Sequence, residues 1–120
     1  MPTPPLRAIL LDKDGTLTDF RATWEDWLAD TLTDLAAETG VAVDALGVAL
    51  EYDVAARRFR PGSFFMTATS DRTATALAAV TGWSDLRIGD WVSVRASRVV
   101  QIEVTPVGPL LDGLRGRGLR

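Results

Sequence analysis

The chain has 120 residues, 47% of them hydrophobic and 24% charged, with a formal net charge of −3. That balance describes one globular unit and not a disordered chain, and the scattered arginines exclude the basic stripe of a nucleic-acid binder. Cysteine and histidine are both absent. Their absence removes disulfides, zinc–thiolate sites and every scheme that turns on an imidazole, so carboxylates are left as the candidates for chemistry.

The first element is the apolar run Leu6-Arg7-Ala8-Ile9-Leu10-Leu11, which predicts a short buried strand. It is too short for the apolar core of a signal peptide and runs straight into an acid. No other stretch approaches the ~20 apolar residues of a membrane span. A cytoplasmic protein without a membrane partner is therefore the expectation.

The run leads into Asp12-Lys13-Asp14-Gly15-Thr16-Leu17-Thr18-Asp19. Residues two apart on a strand point to the same side, and ligands of open α/β sheets bind beyond the carboxyl ends of the strands. Asp12 and Asp14 are thus placed to face one ligand. Two carboxylates this close repel each other, and a hard cation such as Mg²⁺ relieves the repulsion. An aspartate can form a covalent phosphoenzyme, and a second carboxylate can serve as general acid and base. Gly15 permits a sharp turn, whose backbone N–H groups can cradle an anion, and Thr16 adds a hydroxyl. A calcium-binding EF-hand loop is excluded: counted from Asp12, its sixth and twelfth places need Gly and Glu but hold Leu17 and Thr23.

Asp12, Asp14, Gly15, Thr16, Leu17 and Asp19 together resemble the first signature of the haloacid dehalogenase-like (HAD) hydrolase superfamily, D-x-D-G-T-[LV]-x-D after a buried strand. The resemblance implies Asp12 as the nucleophile that becomes an aspartyl-phosphate and Asp14 as the acid that protonates the leaving group and then activates water. It implies Mg²⁺ held by the Asp12 carboxylate and the Asp14 backbone carbonyl, with Gly15 and Thr16 on the phosphate. The dehalogenases lack an acid at the place of Asp14, and the P-type ATPases have Thr there, so a phosphatase or phosphomutase is indicated. Lys13 fills a variable place and receives no role.

After this turn the periodicity is helical. Thr23 reads as an N-cap with acids in the first turn, and Trp24, Trp27, Leu28, Leu32, Leu35 and Ala36 form one apolar stripe, predicting a helix over 24–39 that stops at Gly40. Asp44 is read as the cap of a weaker second helix in which Gly47 is a blemish. Arg57-Arg58-Phe59-Arg60-Pro61-Gly62-Ser63 is a Pro-Gly loop. Arg58, Arg60 and Ser63 are candidate contacts to a substrate phosphate or carboxylate, against the alternative of a solvated basic loop. Ser70 with Asp71, and Ser84 with Asp85, start two further helices, the first closing near Gly82 and the second running through Val99. Pro109 fits a first helical position of a last helix through Leu110, Leu111 and Leu114.

This order of elements resembles the capped, phosphoglycolate phosphatase-like branch of the superfamily: an α/β, Rossmann-like core, of which residues 1–19 and 104–120 supply the first strand and one helix, and a mostly α-helical cap over residues 20–103. The activity implied is Mg²⁺-dependent hydrolysis of a small phosphorylated metabolite. A sugar-phosphate mutase and a non-catalytic helical interaction module are the alternatives, and the sequence does not fix an oligomeric state. The superfamily also needs a Ser or Thr on a second strand, a phosphate-binding Lys and a further acidic pair. Lys13 is the sole lysine, and the chain reaches Arg120 where the second strand should begin. The expectation is an amino-terminal part of such an enzyme, inactive or nearly so by itself.

Overall fold

Five α-helices and one two-stranded antiparallel hairpin make up the regular structure in a computed structural model that describes all 120 residues. The helices are α1 (Phe20–Thr39), α2 (Val43–Ala49), α3 (Ser70–Thr81), α4 (Asp85–Ala96) and α5 (Val107–Gly116). The hairpin strands are β1 (Tyr52–Asp53) and β2 (Arg58–Phe59), and a 3₁₀ turn covers Phe64–Met66. The chain divides into two compact units, one of Arg21–Val100 and one of Met1–Phe20 with Gln101–Arg120.

The helical unit, Arg21–Val100, holds all of the buried apolar side chains. Leu28, Leu32 and Leu35 line the inner stripe of α1 at helical spacing, and Leu46, Leu50, Tyr52, Phe59, Leu77 and Ile88 are buried in the same unit. α3 packs on α4 and on α2. Both helices start where a hydroxyl satisfies an otherwise orphaned N–H: Thr69 accepts from Arg72 N and Ser84 from Arg87 N, and Gly82 at φ 75° closes α3. α1 begins earlier than its predicted cap. Thr23 is buried inside the helix, because residues 20–23 contain no helix breaker and Arg21 pairs with Glu25 one turn on at 2.9 Å. Asp44 sits in the first turn of α2 without capping it, and α4 ends at Ala96, short of Val99.

The hairpin is absent from the sequence reading. Two-residue strands are too short for alternation to register, and their turn contains no glycine. It is held by side chains. Asp53 Oδ1 accepts the Ala56 N–H at 2.9 Å, Tyr52 meets Phe59 edge-on at 5.5 Å, and Phe59 stacks on Phe65 at 5.2 Å. Arg57 takes a left-handed backbone (φ 54°) and reaches α1, contacting Asp26 at 2.9 Å and Asp30 at 3.1 Å.

One turn further along α1, Arg95 bridges Asp34 at 3.7 Å and Glu38 at 3.3 Å while lying 3.4 Å over the Trp91 ring. Trp91 Nε1 also donates to Glu38 at 3.0 Å. Asp26, Asp30, Asp34 and Glu38 form a ladder of acids four residues apart, a spacing that is repulsive on a helix. Two arginines from elsewhere in the unit relieve it. Such exposed pairs contribute little, so the ladder locates the hairpin and α4 against α1 more than it stabilises them.

Gly47 has a packing reason to be glycine. A Cβ there would lie 2.5 Å from Val54 Cγ2 and 2.8 Å from the Tyr52 carbonyl oxygen. Gly47→Ala is expected to destabilise the unit by about 1–3 kcal/mol through overpacking. Gly113→Ala, in α5 with nothing within 4 Å of the new Cβ, is expected to gain about 0.5–1 kcal/mol from helix propensity. Urea melts of the two variants should shift in opposite directions.

Tyr52 gives a second check. It is buried, and its hydroxyl donates to the Glu25 carbonyl at 2.7 Å. Burial, opposed by Arg57 and aided by Glu25, Asp26 and Asp30, pushes the phenol from 10.0 up to about 12. Because the folded value is raised, the stability contributed by the neutral phenol is fully present below pH 10.0 and is lost as pH climbs toward 12. Tyr52 is the one tyrosine in the chain, so phenolate absorbance reports it alone. The titration midpoint should fall back toward 10.0 in urea and a Tyr52→Phe protein should lose this part of the alkaline instability.

The terminal unit corrects the expected α/β core. Residues 6–11 form no strand, and no Rossmann-like parallel sheet is present. Leu10 is 100% exposed and Leu6 68%. The physical reason is pairing: apolar content marks a segment for burial, but a strand exists only where neighbours take its N–H and C=O groups. The segment meets Arg120, whose carbonyl accepts from Ile9 N at 2.9 Å and whose N–H donates to the Arg7 carbonyl at 3.1 Å. These bonds flank Ala8 as a single rung of parallel pairing does, and one rung is not a sheet.

Elsewhere in this unit Thr18 bridges Glu103 in antiparallel fashion, with Asp19 N to Ile102 O at 2.7 Å and Val104 N to Leu17 O at 3.0 Å. α5 starts at Val107, so Pro109 is its third residue and not its first. Thr18 is the one buried side chain of the unit.

Candidate active site

The loop that follows the amino-terminal segment is built around one carbonyl. Lys13 O accepts the N–H groups of Thr16 at 3.2 Å, Leu17 at 2.9 Å and Thr18 at 3.0 Å, and Gly15 N returns to Thr18 O at 2.8 Å. Gly15 makes the reversal possible. Its φ of 79° lies in the left-handed region, which costs an ordinary L residue about 1–2 kcal/mol. The buried Thr18 hydroxyl locks the underside, lying 3.3 Å from Lys13 O and 3.4 Å from Asp14 Oδ1.

Each acid has its own partner. Asp12 Oδ2 accepts from the Thr16 hydroxyl at 3.1 Å. Asp14 Oδ1 is paired with Lys13 Nζ at 3.1 Å, with the two side chains 47% and 58% exposed. Asp12 and Asp14 therefore both stand on the open surface of the unit and are reachable by solute. The turn's backbone is committed differently from the expectation of an anion cradle. The N–H groups of Gly15 and Thr16 point at the loop's own carbonyls.

The donor set is all oxygen. No group of three Asp or Glu side chains converges in the chain, but Mg²⁺ is commonly held by one or two carboxylates together with substrate phosphate and water. Asp12 and Asp14, both exposed oxygen donors, would be the residues to hold it. When bound, the cation would neutralise charge on a phosphoryl oxygen.

The other candidate residues belong to the helical unit. Arg58 and Arg60 are exposed. Ser63 is 3% exposed, and its Oγ donates to the Leu50 carbonyl at 3.0 Å, which ties the loop to the end of α2. A cleft of about 90 Å³ lies in the terminal unit between Ile9, Leu11, Leu111, Leu114 and Leu119. It is well below the ~300–1,000 Å³ of small-molecule sites and presents no acid.

Two residues that the sequence reading left aside belong to this loop: Thr18, behind Asp14, and Lys13, on it. The signal for Thr18 was a hydroxyl alternating with Thr16 in a segment that turns back to apolar surroundings. The signal for Lys13 was its being the sole lysine. The chain matches no protein-family model, no curated protein and no solved structure.

Proposed function

We propose that the Asp12–Asp19 loop is a phosphoryl-transfer site and that the protein acts on small phosphate monoesters with Mg²⁺, in the manner of the HAD-like hydrolases whose first signature it resembles. The observation that carries the reading is the pair of solvent-facing carboxylates on one glycine-reversed loop, each with a distinct partner. The rung of parallel pairing at Ala8, just before the loop, also suits a core of that kind.

In this reading an Asp12 carboxylate oxygen attacks phosphorus, and the bond from phosphorus to the leaving oxygen breaks. Asp14, acting as general acid, passes a proton to that oxygen. Water then attacks the phosphorus of the aspartyl-phosphate, Asp14 takes the water's proton, and inorganic phosphate leaves with Asp12 regenerated. Thr16 orients the Asp12 carboxylate through its hydroxyl. A sugar-phosphate mutase would share the first half of this sequence and would return the phosphoryl group to the sugar.

The Asp12–Asp19 loop carries one cation, Lys13, and three carboxylates, Asp12, Asp14 and Asp19. We infer that the 120 residues alone turn over slowly if at all, and that the first half-reaction is where their chemistry shows. A beryllium fluoride titration with Mg²⁺, followed by ¹⁹F NMR, tests the site. A bound signal lost in Asp12→Asn is the expected outcome. No bound signal, or one indifferent to Asp12→Asn, contradicts the assignment.

A further inference from the structure

The loop has to meet a doubly negative phosphoryl group with something positive, and its backbone does not offer the turn's N–H groups. Those of Gly15, Thr16, Leu17 and Thr18 all end on carbonyls within the loop. Asp12 and Asp14 repel an anion. The charge that the loop itself supplies is the ammonium of Lys13, 3.1 Å from Asp14 Oδ1.

From this we propose that Lys13 is the phosphoryl-binding cation of the site and that it works by exchanging partners, leaving Asp14 for the substrate's phosphoryl oxygens. The inference rests on the phosphoryl-transfer reading above and deepens it. Three features favour the exchange. The Lys13 backbone is fixed, because its carbonyl is the acceptor for three N–H groups, so the ammonium is tethered beside Asp14. The pair is exposed, at 58% and 47%, and such pairs contribute little, so the switch costs little. A dianionic phosphoryl group also attracts an ammonium more strongly than a single carboxylate does.

The experiment uses the intact chain with Mg²⁺ and two probes, inorganic phosphate and beryllium fluoride. Because Lys13 is the only lysine, ¹³C-lysine labelling yields one side-chain signal, and it is expected to move on addition of either probe. Lys13→Met, an exposed position that leaves folding intact, should weaken binding about tenfold or more, as loss of a charge-assisted contact does. Lys13→Arg should recover most of it. If the wild-type protein binds a probe while the lysine signal stays still, or while Lys13→Met binds equally well, the exchange is overturned and the site reading stands. If the wild-type protein binds neither probe, both fall.

Discussion

Leu32→Ala is expected to destabilise the helical unit by about 3–4 kcal/mol, the range for deleting a large aliphatic side chain from a filled interior. Leu32 is 0% exposed and lies midway along the inner stripe of α1, between Leu28 and Leu35. An 80-residue unit has a total stability of ~4–12 kcal/mol, so the substitution removes a large share and leaves the unit marginal. Urea unfolding followed by far-UV circular dichroism should show the midpoint falling with little change in slope. Leu86→Ala is the control. Leu86 is 82% exposed on α4, and its truncation should stay within about 0.5 kcal/mol. A Leu32→Ala loss below about 1 kcal/mol would mean that α1 does not anchor this core.

The second large effect separates the two acids. Asp12→Asn is expected to abolish transfer of a phosphoryl group to the protein, because an amide oxygen is not a nucleophile of that kind. Asp14→Asn should behave differently with an acyl phosphate, whose carboxylate leaves without needing a proton. The first step should proceed, while attack by water on the phosphoenzyme slows by about 10²–10⁴-fold for want of a general base. The phosphorylated form of Asp14→Asn should therefore accumulate where the wild-type form decays. Equal behaviour of the two variants would remove the division of labour between them.

What could be read from the sequence follows a physical line. The start of α4 was legible because it depends on local chemistry, the Ser84 hydroxyl meeting an N–H three residues on, and local chemistry is what a sequence states; at α3 the capping hydroxyl is Thr69, one residue before the Ser70 expected. The inner stripe of α1 was legible from its period. The hairpin was not, because its two-residue strands are fixed by Arg57 reaching Asp26 and Asp30 and by rings from Tyr52, Phe59 and Phe65, contacts that span tens of residues. The segment 6–11 failed in the opposite sense. Its apolar composition signals burial, but burial of a strand is a property of its neighbours, and the neighbour here is one residue, Arg120.

The loop acids were legible as a pair, and their surroundings were not. Ser63 reads as a substrate contact on its own and is a buried tie between two segments in the fold. Lys13 reads as filler and is the partner of Asp14. In both cases the residue type announced the capacity for an interaction and the fold chose the recipient.

The most direct measurement is intact-protein mass spectrometry after brief exposure to a small acyl phosphate with Mg²⁺, with the modified residue located by hydroxylamine cleavage and peptide mapping. The account predicts one added phosphoryl group, hydroxylamine-labile and placed on Asp12, that is absent without Mg²⁺ and absent in Asp12→Asn. An unmodified protein under those conditions, or a phosphoryl group on any residue other than Asp12, would contradict it.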